Sequence, residues 1–135
     1  MIVDDATVKA LAASLDFRQM RAELVSSNIA NAETPDYKAK RINFEDALAR
    51  ALDIDKQQSL HVTDGRHFNV GGGGFNNLEP EIVEDANGIV SEDGNSVDRD
   101  REMSIMAENK ILYDASVQLL NKKLGLLKYA VSSDR

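Results

Sequence analysis

Two apolar rows near the end of this chain limit what it can fold into. From Arg99 to Val131, Met103, Met106, Tyr113, Val117, Leu120, Leu124, Leu127 and Val131 recur at alternating steps of three and four, and Lys110 is the one charge in the row. Such spacing lines up side chains along one side of a helix of roughly 50 Å, at 1.5 Å per residue. Beside it Ile105, Leu112, Leu119 and Leu126 repeat every seven residues. The combined arc spans roughly 160° at 100° per residue, more than one partner helix covers. Asp98, Asp100 and Glu102 stand at the predicted start, where they meet free amides and the positive end of the helix dipole; Lys122, Lys123 and Lys128 gather toward the other end.

A second long helix is predicted from about Thr7 to Asn31. Val8, Leu11, Leu15, Ala22, Val25 and Ile29 form its seam, with Arg18 as the interruption, and Phe17, Met20 and Leu24 make a further stripe round the cylinder. It ends near Glu33, because Thr34 precedes Pro35 and is pushed toward extended geometry.

The pattern then changes. Tyr37 to Leu52 reads as an extended piece followed by a two-turn helix, with Asn43 as N-cap and Phe44, Leu48 and Leu52 on one face. Between Asp53 and Asn95 turn residues dominate. Short strands are expected around His67 to Val70 and Glu81 to Val83, and Asn87-Gly88 suits a hairpin toward Ile89-Val90. A loop of this length points to a functional or disordered segment. The fold class is therefore mainly α: two long terminal helices packed as a coiled-coil-like pair around a flexible, weakly β or disordered middle. The divisions fall at 1–36, 37–97 and 98–135, the two terminal helices forming one assembly domain.

Charge and composition remove several functions. The formal net charge is −7, and positions 53–100 hold 11 acidic against 3 basic residues, which argues against nucleic acid as the partner. Lys38, Lys40 and Arg41 are read as a solvated or inter-subunit patch. Without cysteine there is no thiolate metal site, and His61 and His67 lack zinc spacing. Asp93, Asn95, Asp98, Asp100 and Glu102 fail the calcium-loop register, and capping explains them. Gly71 to Gly74 has no following Lys-Ser or Lys-Thr, so it reads as linker rather than phosphate cradle. No cofactor, metal or catalytic residue is expected, no apolar run reaches the ~20 residues of a membrane span, and the first residues do not read as a secretory signal.

The stretch Ser27-Asn28-Ile29-Ala30-Asn31-Ala32-Glu33-Thr34-Pro35-Asp36-Tyr37-Lys38 resembles the N-terminal signature of the bacterial flagellar rod and hook protein family. Asn28, Asn31, Thr34, Pro35, Tyr37 and Lys38 carry it. The continuation through Leu48, together with Gly94-Asn95-Ser96-Val97-Asp98 and the run from Glu102 to Asn109, is most similar to proximal-rod members. The family usually has Gly where Asp36 stands, and Asp tolerates the left-handed turn that Gly would supply. The resemblance implies a structural, non-enzymatic rod subunit of the basal body that serves motility by transmitting torque. It implies export through the flagellar type III apparatus to the periplasmic rod without a cleavable signal peptide. Implied partners are like subunits, other rod proteins, the rod-base adaptor and the membrane ring, with no direct membrane insertion.

Two helices enclosing so thin a core are marginal alone, so the free subunit is expected to be partly disordered and to gain order by self-assembly. A soluble helical adaptor, or an export-chaperone-like module gripping a partner helix, is the alternative reading of the same stripes.

Overall fold

The computed structural model describes residues 6–58, 75 and 78–133. Its elements run α1 (Ala6–Ala30), β1 (Lys40–Asn43), α2 (Glu45–Gln58), β2 (Glu81–Glu84) and α3 (Arg99–Ser133). The two long helices pack against each other, as their apolar rows require. Asn28 meets Glu102 while Arg18 meets Asn109, so positions fall along α1 as they rise along α3, and the pair is antiparallel.

Asp98 begins α3: its Oδ1 accepts from the amides of Asp100 at 3.1 Å and Arg101 at 3.3 Å, satisfying groups the helix leaves free. Glu102, expected to serve the same terminus, is instead fully buried against α1. The far end also differs from expectation. α3 continues past Lys128 to Ser133, and its last turn holds no basic residue.

Apart from Val25, the best-buried apolar side chains do not lie along the predicted helix seams. They gather where β1 and the start of α2 cross α1: Phe17, Val25, Ala39, Ile42, Phe44 and Ala51. Phe44 is the keystone. Its ring stacks on Phe17 with centroids 5.1 Å apart, and the Arg21 guanidinium lies 4.5 Å from its centre on what is a cation–π contact. Arg21 also donates to the Ile42 carbonyl at 2.8 Å and pairs with Glu45 at 2.6 Å, so one arginine ties three elements.

β1 and β2 form a two-stranded antiparallel sheet with Ile42 opposite Ile82. The segment Glu81 to Val83 is thus a strand, but its partner is β1 rather than Ile89-Val90. The turn at Asn87-Gly88 exists without a hairpin beyond it: the Asp85 amide bonds to Ala39, and the next backbone bond runs from Ser91 to Asn95. Asn43 closes β1 instead of capping a helix, and Phe44 stands at that junction with its amide bonded to the Glu45 carboxylate at 3.3 Å. Helix α2 runs 14 residues, twice the expected two turns. Residues 78–97, expected to be loose, are joined to the helix pair; the strand expected at His67 to Val70 and the glycines 71–74 lie outside the described residues.

Truncating the keystone tests where the core is. Phe44→Ala is expected to lower unfolding free energy by about 3–5 kcal/mol, the usual range for a buried aromatic. Chemical denaturation measures it, and a loss below about 1 kcal/mol would contradict this account of the core.

Candidate functional site

The chain reverses direction twice at one end of the helix pair, and polar side chains from both strands of sequence converge there. Asn28 is the centre. It is fully buried on the last turns of α1, so an amide with two donors and an acceptor must find partners inside. Its Nδ2 donates to the Lys40 carbonyl at 2.9 Å and to Glu102 Oε2 at 3.1 Å. Its Oδ1 accepts from the Lys40 amide at 3.1 Å and from the Tyr37 hydroxyl at 3.3 Å. A single side chain thereby holds the exit of α1, the entry of β1 and the first turn of α3.

Glu102 is the buried charge of the junction, with no exposed side-chain surface. Arg41 answers it with two nitrogens, at 3.0 and 2.5 Å, in the forked geometry that suits a carboxylate. Arg41 also reaches Asp85 at 3.1 Å, and Asp85 reaches Arg101 at 2.7 Å. Burial works against the charge on Arg41, yet hydrogen bonds and charge from Glu102, then Asp85, outweigh it and raise its pKa above the ordinary guanidinium value. The basic patch expected to face solvent or a neighbour is, for Arg41, an internal ion network.

A second set of bonds sews the stretch before α3 to the stretch after α1. Asn95 Nδ2 donates to the carbonyls of Asn31 at 2.9 Å and Thr34 at 2.7 Å, capping α1 from 61 and 64 residues away. Ser96 Oγ accepts from the Ala39 amide at 2.8 Å, and Lys38 donates to the Gly94 carbonyl at 2.5 Å. Asn31 Nδ2 donates back to the Ser27 carbonyl at 2.8 Å, and Thr34 Oγ1 donates to Asn31 Oδ1 at 3.1 Å. After exposed Pro35, Asp36 turns left-handed with φ 61°, a conformation that Asp tolerates better than most residues with a side chain. Its amide meets the Asp93 carbonyl at 2.9 Å, and a Cβ at Gly94, itself at φ 81°, would collide with the Asp36 carboxylate.

The helix residues singled out by periodicity divide. Val25 is buried, and Leu11, Leu15, Ile29, Ile105, Met106, Tyr113, Val117, Leu120 and Leu127 are partly buried. Met103, Leu112, Leu119, Leu124 and Leu126 are exposed in the single chain. Glu102 and Asn109 occupy inward places beside Met103 and Lys110: Asn109 Nδ2 donates to the Arg18 carbonyl at 2.8 Å. Counting apolar residues cannot detect such a polar seam. Among the described residues no group of His, Cys, Asp and Glu is placed to hold a metal ion, and His61 and His67 lie outside them. No helix among them is long and apolar enough to cross a membrane.

No family model matches the sequence. Curated relatives do. A flagellar basal body rod protein FlgB from Aeromonas hydrophila is 38% identical over 120 residues, 85% of each chain. Its namesake from Cereibacter sphaeroides is 37% identical over 123 residues, 91% of each, and that of Bacillus subtilis 30% identical over 137 residues, 100% of each. The chain belongs to the FlgB family of flagellar basal body rod proteins. Both motif segments fall within this full-length similarity, so the junction is described here in a member of that family.

Two measurements probe the junction. Glu102→Ala leaves Arg41 with Asp85 alone, takes a partner from Asn28 and is expected to destabilise by about 3–5 kcal/mol, whereas Arg99→Ala, at the exposed pair with Glu33, should change stability by less than about 1 kcal/mol. Equal effects would contradict a buried network. The Arg21–Glu45 pair gives a pH dependence. Burial raises the Glu45 pKa, but the hydrogen bond from Arg21, backbone amides and the Arg21 charge reverse that and leave it below 4.5. A depressed carboxylate stabilises fully above its ordinary value, and that stability is lost as pH falls through the lowered one. Glu45→Gln should therefore flatten the stability profile below pH 4.5; an unchanged acid limb would refute it.

Proposed function

We propose that this chain is a structural subunit of the flagellar basal body rod, polymerising with like subunits and other rod proteins into the proximal part of the drive shaft. Its role is mechanical: it carries torque through packed helices and performs no bond chemistry. Family membership supports the rod assignment and gives the adaptor alternative no support. One observation carries the polymeric part. Leu119 and Leu126, on the row beside the α1-facing seam, are 57% and 59% exposed, so the described chain leaves an apolar face of α3 uncovered.

In this reading segments 1–36 and 98–135 form one assembly domain whose uncovered row meets neighbouring subunits, and residues 37–97 brace its end. Asn28, Asn31, Thr34, Pro35, Tyr37 and Lys38 set the angle at which the braced end leaves the helix pair. The rod-base adaptor and membrane ring are the partners beneath. The chain reaches the periplasmic rod through the flagellar export apparatus. Contacts that do not close into a ring generate such a shaft, and they need different surfaces on opposite sides of one subunit.

Complementation tests the reading. A host lacking its own copy should form no rods and fail to swim, and the unaltered chain should restore both. Leu119→Lys with Leu126→Lys should keep far-ultraviolet helicity but restore neither. Normal swimming in the deletion host, or full rescue by the doubly substituted chain, would defeat it.

A further inference from the structure

Resting on the rod reading above, we propose that the turn carrying Ile89 and Val90 docks into the groove between α1 and α3 of a neighbouring copy of this chain. Ile89 is 91% exposed and Val90 is exposed beside it. The turn is held from both sides. Gly88 and Asn87 bond back to Asp85 at 3.2 and 3.0 Å, and the Ser91 amide and hydroxyl both donate to the Asn95 carbonyl, at 2.8 and 2.9 Å. Gly88 lies so close to Ser96 that an added Cβ would sit 3.1 Å from its Cβ. A tethered turn presents its apolar tip with little ordering left to lose on binding, the property that makes a small knob an effective anchor.

The receiving groove has a volume of about 430 Å³. Ala22, Met106 and Tyr113 supply its apolar surface; Lys110 is answered there by Asp114 at 3.3 Å, which leaves Arg18 as its uncompensated positive charge. Arg18 Nε is buried without a hydrogen-bond partner, and burial, then the neighbouring charge of Arg21, lowers the Arg18 pKa despite Glu45 and Glu108. The knob brings negative charge. Residues 79–98 contain seven acidic and no basic side chains; Asp85 is already engaged by Arg41 and Arg101, but Glu92 and Asp93, three and four positions after Ile89, are exposed. By contrast, α3 from Met103 onward has four lysines against Glu108 and Asp114. Complementary charge steers the two surfaces together, and the apolar tip supplies the burial.

Position argues for an open array. The knob borders Arg101, at the junction end of α3, whereas the groove lies alongside Asn109 and Tyr113, farther along it. Knob and groove are different surfaces at different heights, so each copy can offer its knob to one neighbour and its groove to another.

The chain contains no cysteine, which makes cross-linking unambiguous. A chain carrying Ile89→Cys and Ser26→Cys, the second at the exposed rim of the groove, is expressed in the deletion host, and basal bodies are treated with a short bis-maleimide. A ladder of covalent multimers is expected from the doubly substituted chain, and none from either single substitution. Basal bodies that contain the variant but give no ladder would overturn the docking and leave the rod reading standing. Coupling of Ile89→Cys to a different basal-body protein would overturn the choice of occupant. Absence of even the unaltered chain from basal bodies would overturn both readings.

Discussion

A buried carboxylate between two helices is unstable unless something nearby holds a positive charge and spare hydrogens, and this condition organises the fold. Glu102 is that carboxylate, and Arg41 and Asn28 satisfy it. Arg41 reaches Glu102 from β1, and β1 is pinned over α1 by the bonds of the Asn28 side chain to the Lys40 backbone. Asp85, just after β2, shares Arg41 and draws in the segment that leads to α3. Each component thus requires the others, and an isolated helix pair would leave Glu102 unpaired. A buried ion network is weak evidence for stability in itself, because desolvation offsets much of its attraction. Its physical consequence here is register: sliding α3 by one residue along α1 would strand the charge.

The apolar contribution is smaller and lies elsewhere. Phe44, Phe17 and Ile42 give a compact cluster beneath the junction, while much of α3 beyond it carries exposed leucines. The molecule therefore has a specified end and an adhesive length. The specified end positions the chain's exit from the helices, and the uncovered length is the face that the proposed rod packing would use.

Both long helices were legible because their periodicity extends over many turns and a helix is a local structure. The positive φ of Asp36 was legible only through the resemblance, which places Gly at that position, and Asp tolerates the conformation. The polar seam was not. Glu102 and Asn109 look like ordinary solvent-facing residues until the partner that satisfies them is known, and those partners lie 61 to 91 residues away. Likewise β2 was visible as a short strand, but nothing local shows that it pairs with β1 across the intervening segment. Asn95 and Ser96 stood in a recognisable motif whose meaning, capping a distant helix, is entirely a matter of tertiary placement.

The distance in sequence between Asn28 and Glu102 has a kinetic side. Their hydrogen bond closes a span of 74 residues, and bonds of such separation form late because the intervening chain must first give up its freedom. Until residues up to Glu102 are present, Asn28 stands without the carboxylate that completes its bonding. The register of the helical hairpin is therefore set by the last of its partners to arrive, and not by either helix alone.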